Sequence, residues 1–357
     1  MRRGVSECDV GGLRQGRCDE KVWVIMRRLI GSIAVFVCVV TGTGLGSVSR
    51  NAEASAAASG SVRLYVEPQD SMGFAQRALS SAKVSIDMSM YELVDSQLVS
   101  TLVSRARGGV KVRVLLDQAY HGSTVNLSAF NDLRSGGVAV AWAPARVIYH
   151  AKYFVIDRDV LYLGTGNLTA KYYSSTRDFW VADTSSRDVS DVEQAFASDF
   201  SGHNATARHG SALVWSPQAT SAYVGFIQGA KKTLVIENEE MSSYAIEDAL
   251  VAAAKRGVRV EVIMNASTSG SGLAWLASHG VSVHVMNSSG LYIHAKVMCR
   301  DCESGSSLAS ALVGSQNFST TSLTYNRELA ITSNATSVIQ RLRSVLTSDW
   351  NASKKYR

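Results

Sequence analysis

Proline, cysteine and charge are all scarce in this chain of 357 residues, and each shortage excludes something. Three prolines leave no proline-rich linker between its parts. Charged residues make up 18% and hydrophobic ones 46%, the balance of a globular protein and not of a disordered one. Three of the five cysteines, at 8, 18 and 38, fall in the first 54 residues. Only Cys299 and Cys302 remain beyond them. A structural zinc needs four ligands, and without a second cysteine pair it is not expected. In an oxidising compartment the two cysteines are expected to close a small disulfide. A long apolar run is missing too. The stretch from Leu29 to Val40 is about half the ~20 residues that span a bilayer.

That short run has the surroundings of an export signal. Arg27 and Arg28 precede it, and a small, polar stretch with an Ala-x-Ala site at Ala52, Glu53 and Ala54 follows. Basic flank, apolar core and small-residue site together read as a secretory signal peptide, so residues 1–54 are set apart as a leader and the protein is expected to be secreted. An uncleaved membrane anchor is the alternative. Cys38 lies inside the apolar run, which argues against a lipoprotein. Met26 stands directly before the arginine pair, so the first 25 residues are readable as lying upstream of the true start. Without the leader the chain holds 28 basic and 25 acidic residues, a net +3. That is too weak for the basic stripe of a nucleic-acid binder, although a local patch is compatible with it.

The remainder repeats itself. Residues 82–117 and 230–265 both begin with Ala-Lys and a β-prone run, Val84 to Met90 in one and Leu234 to Glu237 in the other. An amphipathic helix follows in each, carried by Leu93, Leu98, Leu102 and Val103, and by Ile246, Leu250 and Val251. Each then closes on Arg-Gly-Val and a strand, VKVRVLLD or VRVEVIMN. Glycine there is the usual helix stop. The parallel continues through LRSGGVAVAWA with LASHGVSVHVM, and VIYHAKYFVID with LYIHAKVMCRD. Strands alternating with helices predict an α/β fold of two similar lobes, each a mixed sheet flanked by helices. The lobes are placed at 61–205 and 206–357, with the polar stretch 201–218 as their junction and a pseudo-twofold relating them about a shared site.

The repeat carries chemistry. The first copy has His150 and Lys152, then Asp157, Asn167 after Gly164-Thr165-Gly166, and Arg177-Asp178. The second has His294 and Lys296, then Asp301, Asn317 after Gly314-Ser315-Gln316, and Arg327-Glu328. Only the Asp-to-Gly interval differs, seven residues against thirteen. The six extra lie in the turn-like CESGSSLASA, where an insertion leaves a site undisturbed. Strand residues two apart share a face, so His and Lys of each copy are expected to project into one pocket, with the alanine between them packing behind. The Gly-x-x-Asn stretch is read as a place of close approach to a ligand, with a polar side chain to bind oxygen.

This doubled pattern resembles the phospholipase D superfamily, the HKD-motif phosphodiesterases, from about residue 61 to 350. The resemblance implies a metal-free, cofactor-free site. One histidine, His150, attacks phosphorus and forms a phosphohistidine. His294 protonates the leaving oxygen and then activates water. Lys152, Lys296, Asn167 and Asn317 stabilise the phosphoryl oxygens. Asp178 and Glu328 would each hold the histidine of their own lobe, while Asp157 and Asp301 brace the motif. The near-symmetry of the copies leaves the roles of the two histidines undecided by the residues themselves.

His121, His203, His209, His279 and His284 have no counterpart and read as surface or packing residues, with His121 on a loop that could border the ligand. Trp142, Tyr149, Tyr172, Tyr173, Tyr292 and Tyr325 lie near the motifs and are expected to pack or to line an entrance. Thr165 and Ser315 either serve the site or satisfy a turn. The substrate placed first is a phospholipid at a membrane surface, phosphatidylcholine giving phosphatidate and choline. A metal-independent secreted nuclease acting on nucleic acid is the alternative. A cardiolipin-synthase-type transferase comes behind, because paired transmembrane helices are missing, and a degraded binding module behind that, because both motifs are intact. No obligate protein partner is inferred.

Overall fold

A computed structural model describes residues 61–120, 122–203, 212–268, 271–287, 290–303 and 305–357. The leader, His121 and His209 lie outside the described residues. The first lobe runs β1 (Val62–Glu67), α1 (Gly73–Ser81), β2 (Ser85–Met90), α2 (Ser96–Arg107), β3 (Lys111–Leu116), α3 (Leu127–Ser135) and β4 (Ala139–Trp142). It continues through β5 (Lys152–Ile156), β6 (Val160–Gly164), β7 (Thr176–Asp183) and α4 (Ser186–Phe200). The second lobe runs β8 (Leu213–Ser216), α5 (Thr220–Gln228), β9 (Thr233–Asn238), α6 (Tyr244–Lys255), β10 (Arg259–Asn265), α7 (Ser271–Ser278) and β11 (Ser282–Met286). Then come β12 (Tyr292–Ile293), β13 (Lys296–Arg300), β14 (Ser310–Gly314), α8 (Thr320–Thr324), β15 (Glu328–Ser333), α9 (Thr336–Ala352) and β16 (Lys354–Lys355).

The two mixed sheets have the same strand order. One reads β1-β7-β6-β5-β2-β3-β4 and the other β8-β15-β14-β13-β9-β10-β11, with β16 added at its edge. In each, three parallel strands joined by helices meet an antiparallel set at the central pair β2–β5 or β9–β13. This is the mixed α/β, two-lobe architecture expected from the repeat. No helix among the described residues is long and apolar enough to cross a membrane.

Strand alternation divides the side chains between separate cores. In β5, Tyr153 and Val155 face a core shared by both lobes, while Phe154 and Ile156 face the helices of the first lobe. In β13, Val297 and Cys299 face the shared core and Met298 faces the second lobe's own helices. Both faces being covered, β5 and β7 are buried along their whole length. The shared core brings Tyr149, Ala151, Phe179 and Phe196 of the first lobe against Trp215, Ile293, Ala295 and Leu342 of the second. The alanines between the motif His and Lys are therefore cemented into the layer that joins the lobes.

Local signals account for the boundaries. Asp95 caps α2 by accepting from the N–H groups of Gln97 and Leu98. That cap starts the helix at Ser96 and leaves Leu93 outside it, in a bridge to Leu168, not on the helix face. Gly109 and Gly257 follow α2 and α6 with φ of +90° and +88°, conformations in which only glycine is unstrained. The disulfide joins Cys299 and Cys302, at the base of the turn that carries the second copy's extra residues.

Asp157 and Asp301 end the motif strands in the left-handed region, at φ of 53° and 51°, where aspartate is better tolerated than most residues. Asp157 accepts from the N–H groups of Lys83, Val84 and Ser85 at 2.7–3.0 Å. Asp301 does the same for Lys231, Lys232 and Thr233 at 2.6–3.1 Å. Each carboxylate thus pins the entry of the neighbouring central strand. Asp301→Ala leaves three N–H groups without their acceptor and puts alanine in a strained backbone. It is expected to cost about 2–3 kcal/mol, read as a lower midpoint of urea unfolding, with Asp301→Asn costing distinctly less.

Candidate active site

Each histidine is placed by a strand pairing that crosses between the lobes. Tyr149 bridges Arg327 in parallel, with the Ala151 N–H donating to the Arg327 carbonyl at 3.0 Å and the Arg327 N–H to that of Ile148 at 2.8 Å. In the other copy β12 runs parallel to β7, matching Ile293 to Arg177. Buried residues at the ends of β3 and β10 steady both segments. Asp117 accepts from the Tyr149 N–H at 2.7 Å. Asn265 exchanges two bonds of 2.7 Å with Ile293.

The crossing sets the acid partners, and it corrects the expectation that each acid serves its own lobe. Glu328 of the second lobe meets His150 Nδ1 at 2.8 Å, and Asp178 of the first meets His294 Nδ1 at 2.8 Å. The reason lies in the register. The residue after each paired arginine falls beside the histidine of the opposite strand, so the acid's own histidine is out of reach. Burial would raise both carboxyl groups, yet His150 beside Glu328 and His294 beside Asp178 hold them below the usual carboxylate range. Thr165 donates to Asp178 at 2.5 Å. Ser322 and Asn326 donate to Glu328.

The arginines cross as well. Arg177 forms a two-pronged pair with Asp349 of α9 at 2.6 and 2.9 Å, and Arg327 pairs with Asp199 of α4 at 2.9 Å. All four side chains are buried. Both histidines open on one cleft of about 960 Å³, whose wall draws Tyr91, Glu92 and Asn167 from the first lobe and Glu239, Tyr292 and Asn317 from the second.

Sequence comparison agrees with this doubled site. The family described as cardiolipin synthase, PLD-like domain, matches residues 76–200 and again 223–350. The chain belongs to the phospholipase D-like family. A phospholipase D of Rickettsia felis is 28% identical over 106 residues, covering 30% of this chain and 52% of that protein. Human mitochondrial cardiolipin hydrolase is 30% identical over 105 residues, covering 29% and 40%. The matches thus span about half the length of these curated relatives, or less. The crystal structure of phosphatidylserine synthase from Haemophilus influenzae Rd KW20 superposes with a TM-score of 0.63 at 10% identity, covering 83% of this chain and 87% of that one, a likeness of fold.

Within this phospholipase D-like site the lysines do not stand beside the histidines on the cleft wall. Lys152 Nζ donates to the His150 carbonyl at 2.6 Å and sits 4.7 Å from the centre of the Tyr91 ring. Lys296 Nζ donates to the His294 carbonyl at 2.5 Å and to Glu239 at 2.8 Å. Both lysines are buried, so their charge acts from behind the imidazoles. Burial and the charge of Lys296 lower Lys152 to about 7. Burial, then Lys152, lowers His150 to about 4, against the pull of Glu328.

Asn167 and Asn317 do reach the cleft, each with its Oδ1 buried and without a partner. The motif glycines have another role than close approach to a ligand. A Cβ at Gly164 would lie 2.4 Å from Trp180, at Gly166 2.8 Å from Asp178 and at Gly314 2.2 Å from Ala330. They let β7 and β15 seat against the motif. Tyr149 and Trp142 pack, the latter stacked on Phe130, whereas Tyr172, Tyr173 and Tyr292 line the cleft. Ser315 accepts from the Leu329 N–H. His284 stacks on Trp350 and His279 lies tilted against Trp275, away from the site, and His203 is exposed.

The motif pattern does not single out Asp199, Asp349, Glu67 or Glu239. Glu67 lies opposite Asp178 in the β1–β7 register. Burial, then Asp178, raises it to about 9, so near neutral pH it is uncharged and does not compete for His294. Glu239 had a signal, the acidic run Glu237-Asn238-Glu239-Glu240 at the carboxyl end of a central strand, where α/β sheets gather ligand groups. Asp349→Ala strands a buried guanidinium between the lobes. It is expected to lower stability by about 3 kcal/mol in chemical denaturation.

Proposed function

We propose that the chain hydrolyses phosphodiesters, with phospholipids as the substrate class, and releases the headgroup alcohol through a phosphohistidine. The observation that carries this reading is the pair of imidazoles on one cleft, each with Nδ1 tied to a carboxylate of the opposite lobe. A carboxylate on Nδ1 fixes the tautomer and aims Nε2 into the cleft. His150, neutral near pH 7, supplies its Nε2 lone pair to phosphorus. The P–O bond to the headgroup breaks, and the proton on His294 Nε2 passes to the leaving oxygen. His294 then takes a proton from water, the water oxygen attacks phosphorus, and the N–P bond returns its electrons to His150. Lys152 and Lys296 place positive charge behind the reacting phosphoryl group. With Oδ1 buried, the Asn167 and Asn317 amides offer Nδ2 to a phosphoryl oxygen.

The wall favours lipid over nucleic acid. Among the described residues that line the cleft there is no lysine or arginine, and Tyr120, Tyr172, Tyr292, Glu92 and Glu240 are present. A polyanionic strand calls for a basic groove. A phosphodiester with a cationic headgroup suits tyrosine and glutamate. The export signal in the leader supports an extracellular setting at a lipid surface.

A parallel assay on phosphatidylcholine vesicles and single-stranded DNA, both in EDTA, tests this. Choline release is expected, abolished in both His150→Ala and His294→Ala. DNA cleavage without choline release would move the substrate to nucleic acid on the same residues. The pH dependence of kcat/KM follows from the same groups. Attack is lost as His150 takes up a proton toward pH about 4, and charge stabilisation is lost as Lys152 gives one up above about 7. The profile is expected to be a bell between those limits, and a rate still climbing at alkaline pH would contradict it.

A further inference from the structure

The two half-sites are copies, yet one position between them differs in charge. Tyr91 and Glu239 hold equivalent places. Each follows the residue that pairs with the motif lysine, Met90 opposite Lys152 and Asn238 opposite Lys296. On the first side the Tyr91 ring meets the His150 ring edge-on at 4.6 Å. On the second side Glu239 Oε2 lies 2.8 Å from Lys296 Nζ and 3.5 Å from His294 Nε2. Tyr292 holds the other oxygen of Glu239 with a hydroxyl bond of 2.9 Å.

We propose that Glu239 is a positioning residue that makes the His294 half the leaving-group side, and so leaves His150 to form the bond to phosphorus. The inference rests on the phosphodiesterase reading above. Two consequences of the geometry support it. Glu239 already compensates Lys296, and its own charge repels the anionic oxygens of a phosphodiester. Those oxygens are drawn instead to the half where Lys152 faces the uncharged Tyr91. Glu239 also gives His294 a carboxylate at each ring nitrogen, Asp178 at Nδ1 and Glu239 at Nε2. The two carboxylates fix the ring between them and hold its Nε2–H beside the leaving oxygen. His150 has a carboxylate at Nδ1, and the residue equivalent to Glu239 beside it is a tyrosine.

The groups facing Glu239 are Lys296 from β13, His294 and Tyr292 from the segment before it, and Glu240 beside it in the chain; Tyr91 and Lys152 feel its field from the first lobe. Burial would raise Glu239, but Lys296 and then His294 hold it well below the usual carboxylate range, so it is charged wherever the site operates. Removing that charge costs proton donation and leaves attack intact.

The test compares two phosphodiesters whose leaving groups differ in their need for a proton, bis(p-nitrophenyl) phosphate and diphenyl phosphate. In Glu239→Gln, kcat/KM for diphenyl phosphate is expected to fall about tenfold or more, a part of the ~10²–10⁴-fold that a general acid contributes. For bis(p-nitrophenyl) phosphate it is expected to change by less than about threefold, since nitrophenolate leaves without a proton. Equal losses on both substrates would mark Glu239 as structural and overturn the proposal. A second measurement needs no folded variant. The unaltered protein is quenched in alkali during turnover of bis(p-nitrophenyl) phosphate, and the phosphorylated peptide is mapped. Phosphate on His150 is expected, and phosphate on His294 would reverse the assignment while the phosphodiesterase reading stood. Hydrolysis of neither ester would sink that reading itself.

Discussion

Arg177-Asp178 and Arg327-Glu328 hold the molecule and its site together through the same two steps of chain. In each pair the arginine reaches a buried aspartate on the last helix of the other lobe, and the acid reaches the histidine of the other lobe. Neither histidine is fully supported within its own lobe. The site therefore exists only when the lobes are docked, and docking and assembly of the site are one event. Reciprocal contacts of this kind, residue i to j and j to i, are what a twofold relation produces at an interface.

That arrangement concentrates charge where burial is costly. Two lysines, two arginines and several carboxyl groups lie in or beside the layer between the sheets. An ion taken from water loses several kcal/mol of hydration unless its partners are close and well aimed. Almost every one here has a partner: those of the two arginines and of Asp178 and Glu328 come from the opposite lobe, and those of the two lysines from their own. The shared apolar core of Tyr149, Phe179, Ile293 and Leu342 brings the lobes close enough for those pairs to form. The pairs in turn make any other docking register expensive, because a shift would leave charges buried and unmatched.

Duplication gives the site two equal halves, while the proposed reaction asks for unequal ones. The backbone answers only the first requirement, with one strand order used twice and braces at Asp157 and Asp301 that match. Inequality enters through side chains at equivalent places, Tyr91 against Glu239 and Glu67 against Ser216, the last two lying opposite Asp178 and Glu328 in their strand pairs. A few substitutions in a symmetric frame are enough to give the two imidazoles different surroundings.

Much of this was legible in the residue order. Periodicity, glycine stops and the repeated Ala-Lys starts determined two α/β lobes, because alternating strands and helices of that spacing bury their faces in few ways. The matched intervals from His to Asp, Gly to Asn and Asn to Arg determined which residues form the motif, since local spacing along a strand decides which side chains share a face. Tertiary structure alone decided which acid serves which histidine, because that depends on a strand register between residues 116 and 178 positions apart, for which no local pattern exists. It also decided that the lysines lie behind the imidazoles and that the motif glycines make room for Trp180, Asp178 and Ala330. Last, it put Glu239 beside His294, a contact that exists because β9 and β13 are neighbours in the sheet.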